Sequence, residues 1–181
     1  MNDESRDNES LEKEGSKLVY RGEIFSVRKE TFQYADGSRA TREVVVHPGA
    51  VCVIPHDRGA VYMVEQPREA VEEPALLELP AGKLDVKGET PLECAQRELA
   101  EEIGKSAGDW RALKSFYTSP GFANERVWLF LATELYDTPE RRQTDERIEI
   151  VEFPLDDLDT AIGRCEDAKS LIGLMMLREL I

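Results

Sequence analysis

The chain has 181 residues, of which 41% are hydrophobic and 33% charged, and carries a formal net charge of −14. A chain of this length buries most of its unfolded surface in one core, so one globular domain behind a short tail is expected. The negative field repels phosphate backbones and no basic patch offsets it, which argues against nucleic acid as a partner. No apolar run approaches the roughly 18 residues of a membrane span, which argues against insertion.

Met1–Gly15 is rich in Asp, Glu, Ser and Asn and nearly free of large apolar residues, so it cannot offset the entropy of its own ordering. Residues 1–17 are therefore read as a disordered acidic tail and 18–181 as a single domain. Ile24–Gln33, the Asp36-Gly37 turn signal and Thr41–Val46 predict a hairpin. Strands follow at Val51–Pro55, Val61–Glu65 and Leu76–Leu79, then, beyond a central helix, at Trp110–Tyr117, Arg126–Glu134 and Ile148–Phe153. Helices over Leu155–Ile162 and Asp167–Leu180 close the chain, the second with apolar Leu171, Leu174, Met175 and Leu177. The pattern implies a mixed β-sheet with helices packed on it. Cys52, Cys94 and Cys165 stand in unrelated settings without CxxC spacing and read as reduced thiols of a cytoplasmic protein.

Thr90-Pro91-Leu92-Glu93 has capping-box order with proline at the first helical position, and Gly104 is placed to stop the helix, which predicts a helix over Pro91–Ile103. Leu92, Ala95, Leu99 and Ile103 fall on one apolar stripe, while Glu98, Glu101 and Glu102 project together from an adjoining face. Glu98 and Glu102 are a like-charge i,i+4 pair that destabilises by about 0.2–0.5 kcal/mol, and Glu101 and Glu102 also oppose the helix dipole in the last turn. Local rules broken at one spot suggest function, and three nearby carboxylates make a hard-oxygen site for Mg²⁺ or Mn²⁺. A solvated acidic helix face is the plain alternative on the helix alone.

The wider segment decides between them. Leu79-Pro80-Ala81-Gly82, then Gly88-Glu89, then Arg97-Glu98-Leu99-Ala100-Glu101-Glu102-Ile103-Gly104 resembles the box of the Nudix hydrolases. The Glu89-to-Arg97 spacing and the block from Arg97 to Gly104 match; six residues instead of five separate Gly82 from Glu89, and Lys105 stands at the final aliphatic position. The resemblance implies the α/β (α+β) class, a Nudix-type α/β/α sandwich with a mixed β-sheet. It implies that Glu98 and Glu102 bind metal, with Glu101 as a further ligand or near-ligand and the Ala81 carbonyl completing the shell. It also implies a structural brace between Glu89 and Arg97.

Thr118-Ser119-Pro120-Gly121, Arg42–Ala50, Glu65-Gln66-Pro67-Arg68 and Asp167–Ser170 resemble the ADP-ribose pyrophosphatase branch of that family. That likeness implies Mg²⁺-dependent hydrolysis of a nucleoside diphosphate sugar, foremost ADP-ribose to AMP and ribose 5-phosphate. Substrate contacts are implied at Phe25, Arg42, Arg68, Pro120 and Gly121, and a loop carboxylate at Glu146, with Asp145 or Glu149 as alternatives. GDP-mannose, ADP-glucose, NADH or an oxidised nucleotide remain open as substrates, as does a non-catalytic ADP-ribose sensor. The branch also implies a homodimer in which the hairpin of about residues 20–46 takes part. With only His47 and His56 in the chain, no credible His-based nucleophilic triad exists.

Overall fold

The computed structural model describes residues 10–138 and 147–181. The chain folds as two compact units, Met1–Pro48 with Ser119–Glu125, and Gly49–Thr118 with Arg126–Ile181. The span 18–181, read above as one domain, thus contains parts of both.

The first unit is a three-stranded antiparallel sheet of β1 (Leu11–Arg21), β2 (Ser26–Tyr34) and β3 (Arg39–Val46), in that order. The hairpin between β2 and β3 turns where Asp36-Gly37 predicts it: the Asp36 carboxylate accepts the Ser38 N–H at 2.8 Å and Gly37 adopts φ 80. Strand β1 corrects the tail reading from Leu11 onward. Every residue of β1 is exposed, so backbone pairing with β2, not burial, orders it. Two side-chain bonds add to the ladder: Lys13 and Ser16 both donate to the nearly buried Glu30 carboxylate on β2, each at 3.0 Å.

The second unit is built on a seven-stranded mixed sheet. At its centre β4 (Ala50–Asp57) runs parallel to β9 (Arg126–Asp137), which pairs antiparallel with β8 (Lys105–Tyr117). β4 meets β5 (Ala60–Arg68) only at His56 and Asp57, and its start is paired instead with a short strand, β7 (Ala81–Lys83). β5 is flanked by β6 (Glu73–Glu78) and β10 (Glu149–Pro154).

Alternation along these strands feeds two cores. Cys52, Ile54, Val61, Met63 and Leu129 pack with Leu158 and Ala161 of α2 (Leu158–Arg164) and Leu174 and Leu177 of α3 (Ala168–Leu180). Val51, Val53, Tyr62, Val64 and Phe130 pack with Cys94, Ala95, Leu99 and Ile103 of α1 (Pro91–Ile103). Helices therefore cover both faces of a mixed sheet, the α/β/α sandwich. Each fully buried aliphatic side chain such as Leu99 contributes about 1.5–3 kcal/mol relative to exposure.

Helix α1 has the predicted bounds and both halves of the capping box. Thr90 N–H donates to the Glu93 carboxylate at 2.8 Å, and Glu93 N–H to Thr90 Oγ1 at 3.3 Å. Gly104 ends it in the left-handed region at φ 67, a conformation that a Cβ would strain. The buried stripe differs at its start: Leu92 is 38% exposed, and Cys94 takes the inward place in the first turn. Leu155–Asp157 form a 3₁₀ turn before α2, and Asp167 caps α3 by accepting Ser170 N–H at 3.0 Å. On α3, Met175 faces outward.

Candidate active site

The C-terminal half of α1 gathers acid around a single guanidinium. Arg97 forks onto Glu89, Nε to Oε1 at 2.8 Å and Nη2 to Oε2 at 3.2 Å, while its Nη1 donates to Glu98 at 2.7 Å and to Glu101 at 2.9 Å. The hydrogen bonds from Arg97 outweigh the burial of Glu89 and hold its carboxyl below the usual range, and the same carboxylates push the Arg97 guanidinium higher still. Cys94 lies under this cluster. Burial, then the charges of Glu98 and Glu89, push its thiol up to about 12, so it stays protonated and donates to the Lys83 carbonyl at 3.4 Å.

Glu102 is nearly buried and accepts the Ala81 N–H at 3.1 Å, tying the helix to β7. Glu98 approaches the same strand so closely that a Cβ built on Gly82 would overlap its carboxyl group. Gly82 is therefore the residue that lets a carboxylate lie against this backbone. Among the described residues no three acidic, His or Cys side chains close into a metal-binding set. Arg97 holds Glu98 and Glu101, while Glu102 accepts a peptide N–H. The donor chemistry still fits a hard divalent cation, since Glu98, Glu101 and Glu102 bring three carboxylates to one helix end and Arg97 bonds only two of them.

Strand β5 brings Arg68 to a second cluster in the same unit. Arg68 forks onto Glu78, Nε to Oε1 at 2.5 Å and Nη2 to Oε2 at 2.9 Å, and Lys169 from α3 donates to the same carboxylate at 2.6 Å. Glu78 is 1% exposed. Burial alone would raise its pKa, but the bonds from Arg68 and the charge of Lys169 prevail and hold it below the usual range. Lys169 also meets Asp167 at 2.9 Å, and Asp167 accepts from Ser170 Oγ at 2.5 Å, which in turn accepts the Leu79 N–H at 2.7 Å. The start of α3 thus fixes the backbone two residues before Ala81.

Glu78 and Lys169 are missing from the sequence-derived site. The signal was an acid inside the apolar run Leu76–Leu79: Leu77 and Leu79 enter the α2/α3 core, so alternation turns Glu78 to the other face of the sheet. Its ladder partner Val64 packs in the α1 core on that face.

In the first unit, Arg42, Pro120 and Gly121 line one cleft of about 700 Å³ together with Arg28, Phe32 and Phe122. Phe25 is not among them. It packs against Tyr20, with ring centroids 6.0 Å apart, beside Gly22 and Ile24. Glu146 and Asp145 lie outside the described residues, whereas Glu149 begins β10, exposed and opposite Glu65.

Known proteins fit this geometry. The family model described as the NUDIX domain matches residues 45–172, which include both clusters. The ADP-ribose pyrophosphatase of Bacillus subtilis is 39% identical over 165 residues, covering 88% of each chain. The ADP-ribose pyrophosphatase of Mycobacterium tuberculosis is 37% identical over 159 residues, covering 86% of this chain and 76% of that one. A crystal structure of an ADP compounds hydrolase matches with a TM-score of 0.82 over 94% of each chain at 23% identity, a likeness of fold. With the box residues seated on a helix–strand pair of an α/β/α sandwich and the family pattern spanning most of the chain, this protein belongs to the Nudix family.

Proposed function

We propose that this chain is a magnesium-dependent pyrophosphohydrolase of nucleoside diphosphate sugars that converts ADP-ribose to AMP and ribose 5-phosphate. The observation that carries the reading is the acid excess on and before α1: Glu89, Glu98 and Glu101 share one guanidinium while Glu102 lies against Ala81. A divalent cation held there by Glu98, Glu101, Glu102 and the Ala81 carbonyl supplies charge neutralisation for the pyrophosphate and a water of lowered pKa. This resolves how a chain of net charge −14 takes an anionic substrate.

The chain's own groups do the rest. The Glu89–Arg97 fork braces the preceding loop against the helix, so the ligand carboxylates keep their register. Arg68, whose side chain is partly exposed, binds phosphate oxygens through N–H donors. Arg42, Pro120 and Gly121 contact substrate from their cleft, Phe25 offers a ring for stacking, and Glu146 orients or deprotonates the attacking water. The substrate assignment is supported by the ADP-ribose pyrophosphatases among the relatives. A homodimer formed through β1–β3 is supported by the exposed apolar Val19, Tyr20 and Ile24, and sedimentation should show one dimeric species.

The deciding experiment measures nucleoside monophosphate release from ADP-ribose, GDP-mannose, ADP-glucose and NADH, each with Mg²⁺ and with EDTA. The expected result is Mg²⁺-dependent AMP release, fastest from ADP-ribose. Faster turnover of another compound replaces the substrate and keeps the chemistry, and ADP-ribose binding without hydrolysis makes the chain a sensor.

A further inference from the structure

The Arg68–Glu78–Lys169 cluster has a form that stability alone does not explain. A buried carboxylate costs several kcal/mol to desolvate, and a hydrophobic residue of similar size often serves a core as well or better. Here the carboxylate is 1% exposed and takes three hydrogen bonds from two cations. One of those cations, Arg68, leaves 40% of its side chain exposed. Its Nε and Nη2 are both engaged by Glu78, and its Nη1 has no partner among the described residues. The guanidinium is thereby fixed in plane and direction, with a donor left over. The charge of Glu102, on the metal-binding helix, is among those that act on Arg68, so this fixed donor lies in the field of the α1 carboxylates. Two residues earlier on the same strand, Gln66 Nε2 is buried with no hydrogen-bond partner among the described residues.

We propose that Glu78 is a positioning residue for substrate binding, acting through Arg68 and kept in place by Lys169, so that Arg68 Nη1 presents a donor to the phosphate oxygens of a nucleoside diphosphate. The proposal rests on the reading of the protein as a nucleoside diphosphate hydrolase. Lys169 has a defined part in it. Without its ammonium, one carboxylate oxygen loses a bond and Glu78 can swing, whereas Lys169 with Asp167 anchors it to the start of α3. A guanidinium held this way gives up little side-chain entropy on binding, which separates a positioned arginine from a freely rotating one.

The test is a double-mutant cycle on ADP-ribose binding, measured calorimetrically with Ca²⁺ in place of Mg²⁺, using wild type, Glu78→Gln, Arg68→Ala and the double variant. Loss of a hydrogen bond to a charged group predicts roughly tenfold to a hundredfold weaker binding for each single variant. The double variant should be little worse than Arg68→Ala, because Glu78 acts through that side chain. Losses that multiply would assign Glu78 a structural role and overturn the proposal. Lys169→Met gives the same readout if Glu78→Gln fails to fold: a smaller loss, again absent in the Arg68→Ala background, is expected, and an equal loss in both backgrounds overturns it. Wild type that does not bind ADP-ribose overturns the functional reading and this proposal together, whereas tight wild-type binding with a multiplicative cycle overturns this proposal alone.

Discussion

Two ion clusters in the same unit are built on opposite stoichiometries. On α1, Glu98 and Glu101, with Glu89 from the loop before the helix, share the guanidinium of Arg97; between β5, β6 and α3, one buried carboxylate, Glu78, lies under two cations. The first is short of positive charge and partly open to solvent, the composition that calls for an added cation. The second buries its carboxylate and leaves part of the Arg68 side chain exposed, the composition that suits an anion. Acid excess and base excess are thus segregated into two separate clusters. The difference predicts opposite responses to removing a carboxylate: at α1 function should suffer while the metal-free fold does not, and at Glu78 the fold itself should suffer.

The largest effect is expected from the double substitution Glu98→Gln, Glu102→Gln. Turnover with Mg²⁺ should fall by about a thousandfold or more, since the charge that holds the metal is gone. Without metal the variant should unfold within about 0.5 kcal/mol of wild type, because an i,i+4 repulsion of that size is relieved while amides keep an acceptor for the Ala81 N–H. Urea unfolding with EDTA reads the second quantity, and the rise in melting temperature on adding Mg²⁺, present in wild type and absent in the variant, reads the metal directly. Strong destabilisation of the metal-free variant would mean that the α1 carboxylates hold the fold as Glu78 does, and the contrast would be lost.

Gly82→Ala sharpens the same point with a smaller expected effect. Its Cβ would overlap the Glu98 carboxyl group, so Glu98 must leave β7 although no charge has been removed. Turnover should fall about tenfold or more, with a weakened Mg²⁺ response, from displacement of one ligand alone. Unchanged turnover would show that Glu98 works from another position.

How much of this was legible in the sequence depended on how local the determinant is. Helix α1 was readable to its ends because Thr90, Pro91, Glu93 and Gly104 act within one turn of themselves. The fork of Arg97 on Glu89 spans eight residues and came with the box resemblance. Glu78 and Lys169 are 91 residues apart in the chain, and nothing in either neighbourhood signals the other. Strand β1 was missed because its order comes from backbone pairing with β2, which leaves no mark on composition. β7 is three residues long, too short for periodicity to reveal. The apolar stripe of α1 misplaced Leu92, since a helical wheel says which side chains share a face but not where the covering sheet ends.

The finest test of the contrast is the acid side of the stability profile. A carboxyl held below its ordinary value of 4.5, as Glu78 is, contributes stability that is fully present above that value and is lost as pH falls through the lowered one. Glu78→Gln removes this dependence, so wild type should be the more stable protein at neutral pH, by about 2 kcal/mol for a buried charge-assisted network. The difference should hold down to about pH 4.5 and shrink only below it, in urea unfolding measured at closely spaced pH values with EDTA present. If burial rather than Arg68 and Lys169 governed Glu78, its pKa would lie above 4.5, wild type would gain stability as pH fell through it, and the gap would widen instead of shrinking. The α1 pair supplies the control: Glu98→Gln, Glu102→Gln should run close to wild type at neutral pH. A convergence point at or below 4.5 for Glu78, with little neutral-pH gap for the α1 variant, would establish that one carboxylate is kept charged by the fold while the others are kept charged for a ligand.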